Sequence, residues 1–158
     1  MLGVDIRLTS SDNQLVEDLI NSIVPRIKKY VYGYDNDKLE QVIADLLIQN
    51  NLTVSTAESC TSGLLASRLT DVPGSSQYFK GGSVCYSNEL KINDIGVDKD
   101  LIERYGAVSE EVAESLAKNI AQKNNTDIGI GITGIAGPGG GTEKKPVGLV
   151  FVLSLIHI

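Results

Sequence analysis

Three short runs hold the residues of this chain that could do chemistry: Thr56-Ala57-Glu58-Ser59-Cys60-Thr61-Ser62-Gly63, Tyr86-Ser87-Asn88-Glu89-Leu90-Lys91 and Gly131-Ile132-Thr133-Gly134-Ile135-Ala136-Gly137-Pro138. Each follows an apolar or β-branched stretch (52–54, 83–85 and 128–132), the pattern by which a parallel sheet hands reactive groups to the loops at its carboxyl edge. Three such handovers in one domain suggest one site. Ser59 and Lys91 are the pair with a mechanism. A serine hydroxyl is a poor nucleophile at neutral pH and needs a base within hydrogen-bond reach. The single histidine, His157, lies in a terminal run set aside below, which leaves lysine. A lysine accepts a serine proton only when burial or neighbours pull its pKa down, as Ser–Lys pairs on other folds do. Lys91 falls one turn into a helix after a strand end, where its long side chain could reach Ser59.

Plainer readings stand beside this one. A serine at a strand-to-helix turn is often only an N-cap, and a lysine on a short helix is usually solvated. Cys60 is the rival nucleophile, although a buried cysteine is commonly inert packing. Glu58 either pairs with a cation or holds the turn.

The elements that must position these groups alternate. Asp37 can cap a helix to about residue 50, whose Leu39, Val42, Ile43, Leu46 and Leu47 fall at three- and four-residue spacing on one buried face. A first strand leads to Ser59, and a short helix over about 61–70 ends at Pro73-Gly74. A second strand reaches Tyr86, and Ser87 can cap the helix carrying Lys91. Ser109 then caps a longer helix to about residue 124, with Val112, Leu116 and Ile120 inward, before a third strand. This alternation predicts an α/β fold, a layered α/β/α sandwich around a largely parallel sheet.

With Pro73-Gly74-Ser75-Ser76 and Gly106-Ala107-Val108-Ser109 between the three runs, residues 37–152 resemble the C-terminal domain of the CinA family, the nicotinamide-nucleotide amidohydrolases or NMN deamidases. Several ordered motifs carry this resemblance, unlike a lone glycine-rich signature. One departure is Ser62, where the family usually has glycine. The resemblance implies hydrolysis of the carboxamide of nicotinamide mononucleotide (NMN) to nicotinate mononucleotide and ammonia, with no metal or organic cofactor. It makes Ser59 and Lys91 the catalytic dyad and matches Tyr86 and Thr133 to further active-site positions. The alternative is a nucleotide-binding or regulatory module of a larger CinA-type protein, without catalysis. Glu58, Cys60 and Thr61 are expected near the substrate, the N–H groups of Cys60 and Thr61 stabilising the oxyanion.

The glycine-rich run that follows is the second functional candidate. Consecutive glycines, among them Gly134, Gly137 and Gly140, let backbone N–H groups turn toward an anion, and Lys144 or Lys145 could supply charge for a 5′-phosphate. The plainer reading is a surface loop with solvated lysines. It is not a Walker loop, because the Gly-Lys-Ser/Thr ending is missing.

Composition sets the limits. The chain has 158 residues, 42% hydrophobic and 22% charged, enough for one modest domain with a core. A formal net charge of −6 argues against a general nucleic-acid binder, which needs a basic surface. Cys60 and Cys85 fit neither a disulfide framework nor a zinc spacing, and the N-terminus shows no signal-peptide pattern, so a reducing cytoplasm is expected. The usual His and Asp clusters of a metal-dependent hydrolase are missing. The apolar stretch 147–158 is shorter than the roughly 20 residues a membrane span needs. The expected partner is a small pyridine nucleotide, and the resemblance implies a homo-oligomer for the intact protein.

Both ends invite comment. Leu153-Ser154-Leu155-Ile156-His157-Ile158 is the translation of the sequencing adaptor CTGTCTCTTATACACATC, so 153–158 reads as a non-native tail that interrupts the strand. The resemblance implies further strands and a closing helix beyond residue 152. Residues 1–36 read as the remnant of a preceding region, with 30–37 as linker.

Overall fold

The computed structural model describes residues 4–156, and His157 lies outside the described residues. The chain divides into two compact units, 1–43 and 44–158. The division falls inside helix α2 (Leu39–Gln49). In the first unit α1 (Asn13–Ile27) starts where the Asp12 carboxylate accepts from the Gln14 N–H at 2.9 Å, and it carries no buried residue. A 3-10 turn, Lys28–Tyr30, follows. Asp37, expected as the cap of α2, has a contact in the loop before the helix. Its carboxylate turns back to accept from the Tyr34 N–H at 2.9 Å. The buried positions of α2 are Ala44 and Leu47, whereas Leu46, expected inside, is 53% exposed. One residue along a helix is a turn of roughly 100°, enough to move a side chain off a narrow apolar stripe.

The second unit is a four-stranded sheet, β1 (Val54–Glu58), β2 (Phe79–Val84), β3 (Ile128–Gly134) and β4 (Val150–Ile156), in the order β2-β1-β3-β4. β1 runs parallel to β2 and β3, and β4 returns antiparallel to β3. Helices α3 (Leu64–Thr70), α4 (Asn88–Asn93), α5 (Lys99–Tyr105) and α6 (Glu110–Asn124) complete the layers. The mixed α/β sandwich with a largely parallel sheet is therefore the fold the alternation predicted. Two elements differ. α3 begins at Leu64 rather than at 61, because Ser62 and Gly63 take positive φ (52° and 91°) and form a turn. The short α5, capped by the Asp98 carboxylate on the Asp100 N–H, has no counterpart in the predicted order.

β4 runs unbroken through Leu153-Ser154-Leu155-Ile156, with Ile156 opposite Ile128, so the strand is not interrupted at residue 152. Its side chains alternate: Phe151, Leu153 and Leu155 are half-buried, and Val150, Val152 and Ile156 are exposed.

Helix α6 is the central support. The Ser109 hydroxyl accepts from the Val112 N–H at 3.3 Å, and Asn125 closes the helix with φ 49°. Val112, Leu116 and Ile120 are fully buried in a core with Ala57, Cys85, Ile95, Val97 and Ile102. Ala113, Ala117 and Ala121 are buried too, and they lie against β3 where the strand carries Gly129 and Gly131. A Cβ on Gly129 would sit 2.0 Å from the Ala117 carbonyl oxygen, and one on Gly131 2.2 Å from that of Ala113. Small residues on both partners thus let the helix backbone ride directly on the strand.

Candidate active site

Strand alternation decides what faces what at the end of β1. Neighbouring residues on a strand point to opposite faces. Glu58 turns to one side, where its carboxylate accepts from the Leu65 and Ala66 N–H groups at 3.0 and 2.8 Å. It holds the first turn of α3, is 1% exposed and does not line the cavity, which is the turn-holding role among those expected of it. Ser59 turns to the other side. Its N–H continues the sheet ladder to the Ile132 carbonyl at 3.0 Å, which fixes the backbone from which the hydroxyl projects.

Lys91 meets that hydroxyl. Ser87 caps α4 by accepting from the Leu90 N–H at 3.2 Å, and Lys91 follows one turn later. Its Nζ lies 3.0 Å from Ser59 Oγ and donates to the carbonyls of Cys85 (2.9 Å) and Tyr86 (3.2 Å). Lys91 is 2% exposed and Ser59 7%. Burial disfavours the charged ammonium and pulls the Lys91 pKa down, with Cys85 and Cys60 as weaker opposing influences. The geometry also suits the neutral amine: two N–H groups serve two carbonyls, and the lone pair faces the serine O–H.

A cavity of about 290 Å³ opens over this pair. Thr133, near the end of β3, lines it and donates from Oγ1 to the Ala107 carbonyl at 2.8 Å. Tyr86 lines it as well, 69% exposed, and reaches Lys91 through its backbone carbonyl. Gly134, at the end of β3, and Gly137 and Gly140, in the loop between β3 and β4, line it as well. Cys60 is on the wall too, and burial pushes its thiol up, away from the reactive thiolate. The Cys60 and Thr61 N–H groups face the Cys60 sulfur and, among the described residues, donate to no backbone carbonyl.

Other expected groups stand elsewhere. Thr61 does not line the cavity, and its buried Oγ1 has no partner among the described residues. Lys144 is exposed and outside the cavity. Lys145 does not line it either, and its Nζ donates to the Tyr105 and Val108 carbonyls at 2.6 Å each. Among the described residues Lys91 is the one basic side chain on the cavity wall. The sequence reading missed Asn88, Ala107 and Val108, which line the cavity. The signals were present: Asn88 stands between Tyr86 and Lys91, and the other two lie in the Gly106-Ala107-Val108-Ser109 motif. Among the described residues no group of three His, Cys, Asp or Glu side chains is arranged to hold a metal ion. Likewise no helix among them is long and apolar enough to cross a membrane.

Comparison with known proteins follows the same lines. A CinA-like protein of Dictyoglomus thermophilum is 50% identical over 139 residues, covering 88% of this chain and 34% of the relative. A CinA-like protein of Dictyoglomus turgidum is 45% identical over 154 residues, 96% of this chain and 38% of its own. The chain thus spans about a third of the length of these curated relatives. The competence/damage inducible protein CihA from Agrobacterium tumefaciens superposes with a TM-score of 0.74 at 38% identity, covering 80% of this chain and 76% of that one. A CinA superfamily protein from Escherichia coli gives 0.71 at 35% identity, with 84% and 78% covered. The model of the CinA C-terminal domain matches residues 36–157, which include every cavity-lining side chain described above, and the chain belongs to the CinA family.

Proposed function

We propose that this domain is a serine amidohydrolase that converts NMN and water to nicotinate mononucleotide and ammonia. The observation that carries the reading is the buried 3.0 Å contact between Ser59 Oγ and the Lys91 amine, whose remaining donors are held by two carbonyls. In this reading neutral Lys91 takes the Ser59 proton as Oγ attacks the carboxamide carbon. The tetrahedral intermediate collapses, Lys91 passes the proton to the leaving ammonia, and an ester links the nicotinoyl group to Ser59. Lys91 then deprotonates water, which attacks the ester and frees the serine. The Cys60 N–H, on the cavity wall and bonded to no backbone carbonyl among the described residues, is assigned as an oxyanion donor, whereas Thr61 lies off that wall and α3 opens only at Leu64. Thr133 and Tyr86 set the wall and the amine from either side. With no second basic side chain on the wall, the 5′-phosphate is assigned to N–H groups of the loop 134–140.

Ammonia release from NMN, compared with Ser59→Ala, tests this. Turnover lost in the variant with NMN binding retained supports the enzyme. A folded chain that binds NMN, releases no ammonia and is indifferent to the substitution is instead a nucleotide-binding module.

A further inference from the structure

The segment 105–108 offers four consecutive backbone carbonyls, and each one is held. Lys145 Nζ takes those of Tyr105 and Val108 at 2.6 Å each. Ser109 Oγ donates to that of Gly106 at 3.0 Å, and Thr133 Oγ1 to that of Ala107 at 2.8 Å. Gly106, with φ 79°, makes room for the ammonium: a Cβ there would stand 3.2 Å from Lys145 Nζ. At the far end Lys145 is seated in its own loop, where Thr142 N–H donates to the Lys145 carbonyl at 2.7 Å and Lys145 N–H to Thr142 Oγ1 at 3.0 Å. Ala107 and Val108 line the cavity, and so do residues of the loop from which Lys145 returns. A single side chain therefore joins two segments that are otherwise far apart in the chain.

We propose that Lys145 is a positioning residue that ties the two cavity-lining segments together and so holds the substrate space in register with Ser59, rather than a ligand for the substrate phosphate. Its catalytic part rests on the amidohydrolase reading; the tie itself does not. The cation also suits its place, since it closes the carboxyl end of α5 where orphan carbonyls attract positive charge. A lysine stretched between two carbonyls acts through geometry, and small misplacements of a reacting pair cost up to roughly 100-fold in rate.

The experiment pairs Lys145→Met, which keeps the apolar stem and removes the donors, with Lys145→Arg, which restores them. Two amides are assayed, NMN and the phosphate-free nicotinamide riboside, and backbone hydrogen exchange is followed in the full chain without substrate. The Met variant is expected to exchange faster at 105–108 and 134–148 while α6 and β3 keep their protection. Its kcat falls roughly 10- to 100-fold with KM little changed, by the same factor for both amides, and Arg recovers most of the loss. Unchanged exchange in both segments overturns the tie. So does a loss confined to NMN and expressed in KM, which would make Lys145 a phosphate ligand. If riboside is not hydrolysed by the wild type, the kcat-against-KM split on NMN decides. A wild type that releases no ammonia from either amide, yet shows the expected exchange, removes the amidohydrolase reading and leaves the tie standing. If Met also exposes α6, the same readings on Lys145→Gln decide.

Discussion

Lys91 and Lys145 make a natural pair for comparison, because each aims its amine at two backbone carbonyls. They differ in the third direction and in their exposure to water. Lys91 has a serine hydroxyl as its third neighbour and is 2% exposed, while Lys145 has no such neighbour and is half-buried at the edge of a loop. Two carbonyls alone give a lysine that holds backbone in place. Desolvation together with a hydroxyl is what turns the same side chain toward proton transfer. Chemistry here is set by the surroundings of a lysine more than by its presence in a motif.

The comparison breaks most sharply at the dyad. Ser59→Ala or Lys91→Met is expected to lower kcat for ammonia release by at least about 1,000-fold, measured at saturating NMN. Lys91→Met carries a second signature, because a buried amine is destabilising where it must be charged. Its melting midpoint should rise by about 2–4 °C at neutral pH, read by differential scanning calorimetry. A fall would mean that the amine's hydrogen bonds outweigh its desolvation.

A second test lies in the support. Gly131→Ala drives a methyl into the Ala113 carbonyl oxygen at 2.2 Å and should destabilise the fold by about 3 kcal/mol in chemical denaturation. An unchanged midpoint would show that α6 can lift off β3 without penalty.

The pH dependence sharpens the contrast further. Since burial holds Lys91 below its ordinary 10.5, the free base forms earlier as pH rises, and kcat/KM should climb on a limb centred below that value. The sign for stability follows from proton counting. Between the lowered folded pKa and 10.5 the unfolded chain binds more protons at this site, so the Lys91 contribution to stability rises with pH across that window and its penalty is full below it. Lys91→Met should flatten both trends. The smallest effect is expected at Glu58→Gln, which weakens the hold on the first turn of α3 by about 1 kcal/mol while leaving the hydroxyl–amine contact in place.

How much of this was legible beforehand depended on which interactions are local. Ser87 and Ser109 were readable as caps because a cap is decided within three residues. Ser59 and Lys91 stood out because each follows a strand end, and the sheet brought those ends together. Of the two roles open to Glu58, pairing with a cation or holding the turn, the choice lay in the period of the strand, which sends it to the face opposite Ser59 and under the start of α3. Lys144 and Lys145 were indistinguishable in sequence: which of two adjacent lysines turns inward is fixed by carbonyls some 40 positions away. The short α5 and the true buried face of α2 depended on tertiary partners, and a tail that looked foreign proved apolar enough in alternate positions to serve as strand.

The opposite orientations of Glu58 and Ser59 have a consequence for how this gene can vary. Losing or gaining a single codon within β1 would turn Glu58 and Ser59 each to the opposite face, taking the hydroxyl from Lys91 and the carboxylate from the start of α3. Protein length in this stretch is thus under a double constraint, one from folding and one from reactivity, and a frame-preserving indel there should damage both at once, where Ser59→Ala removes reactivity alone and Glu58→Gln weakens only the support.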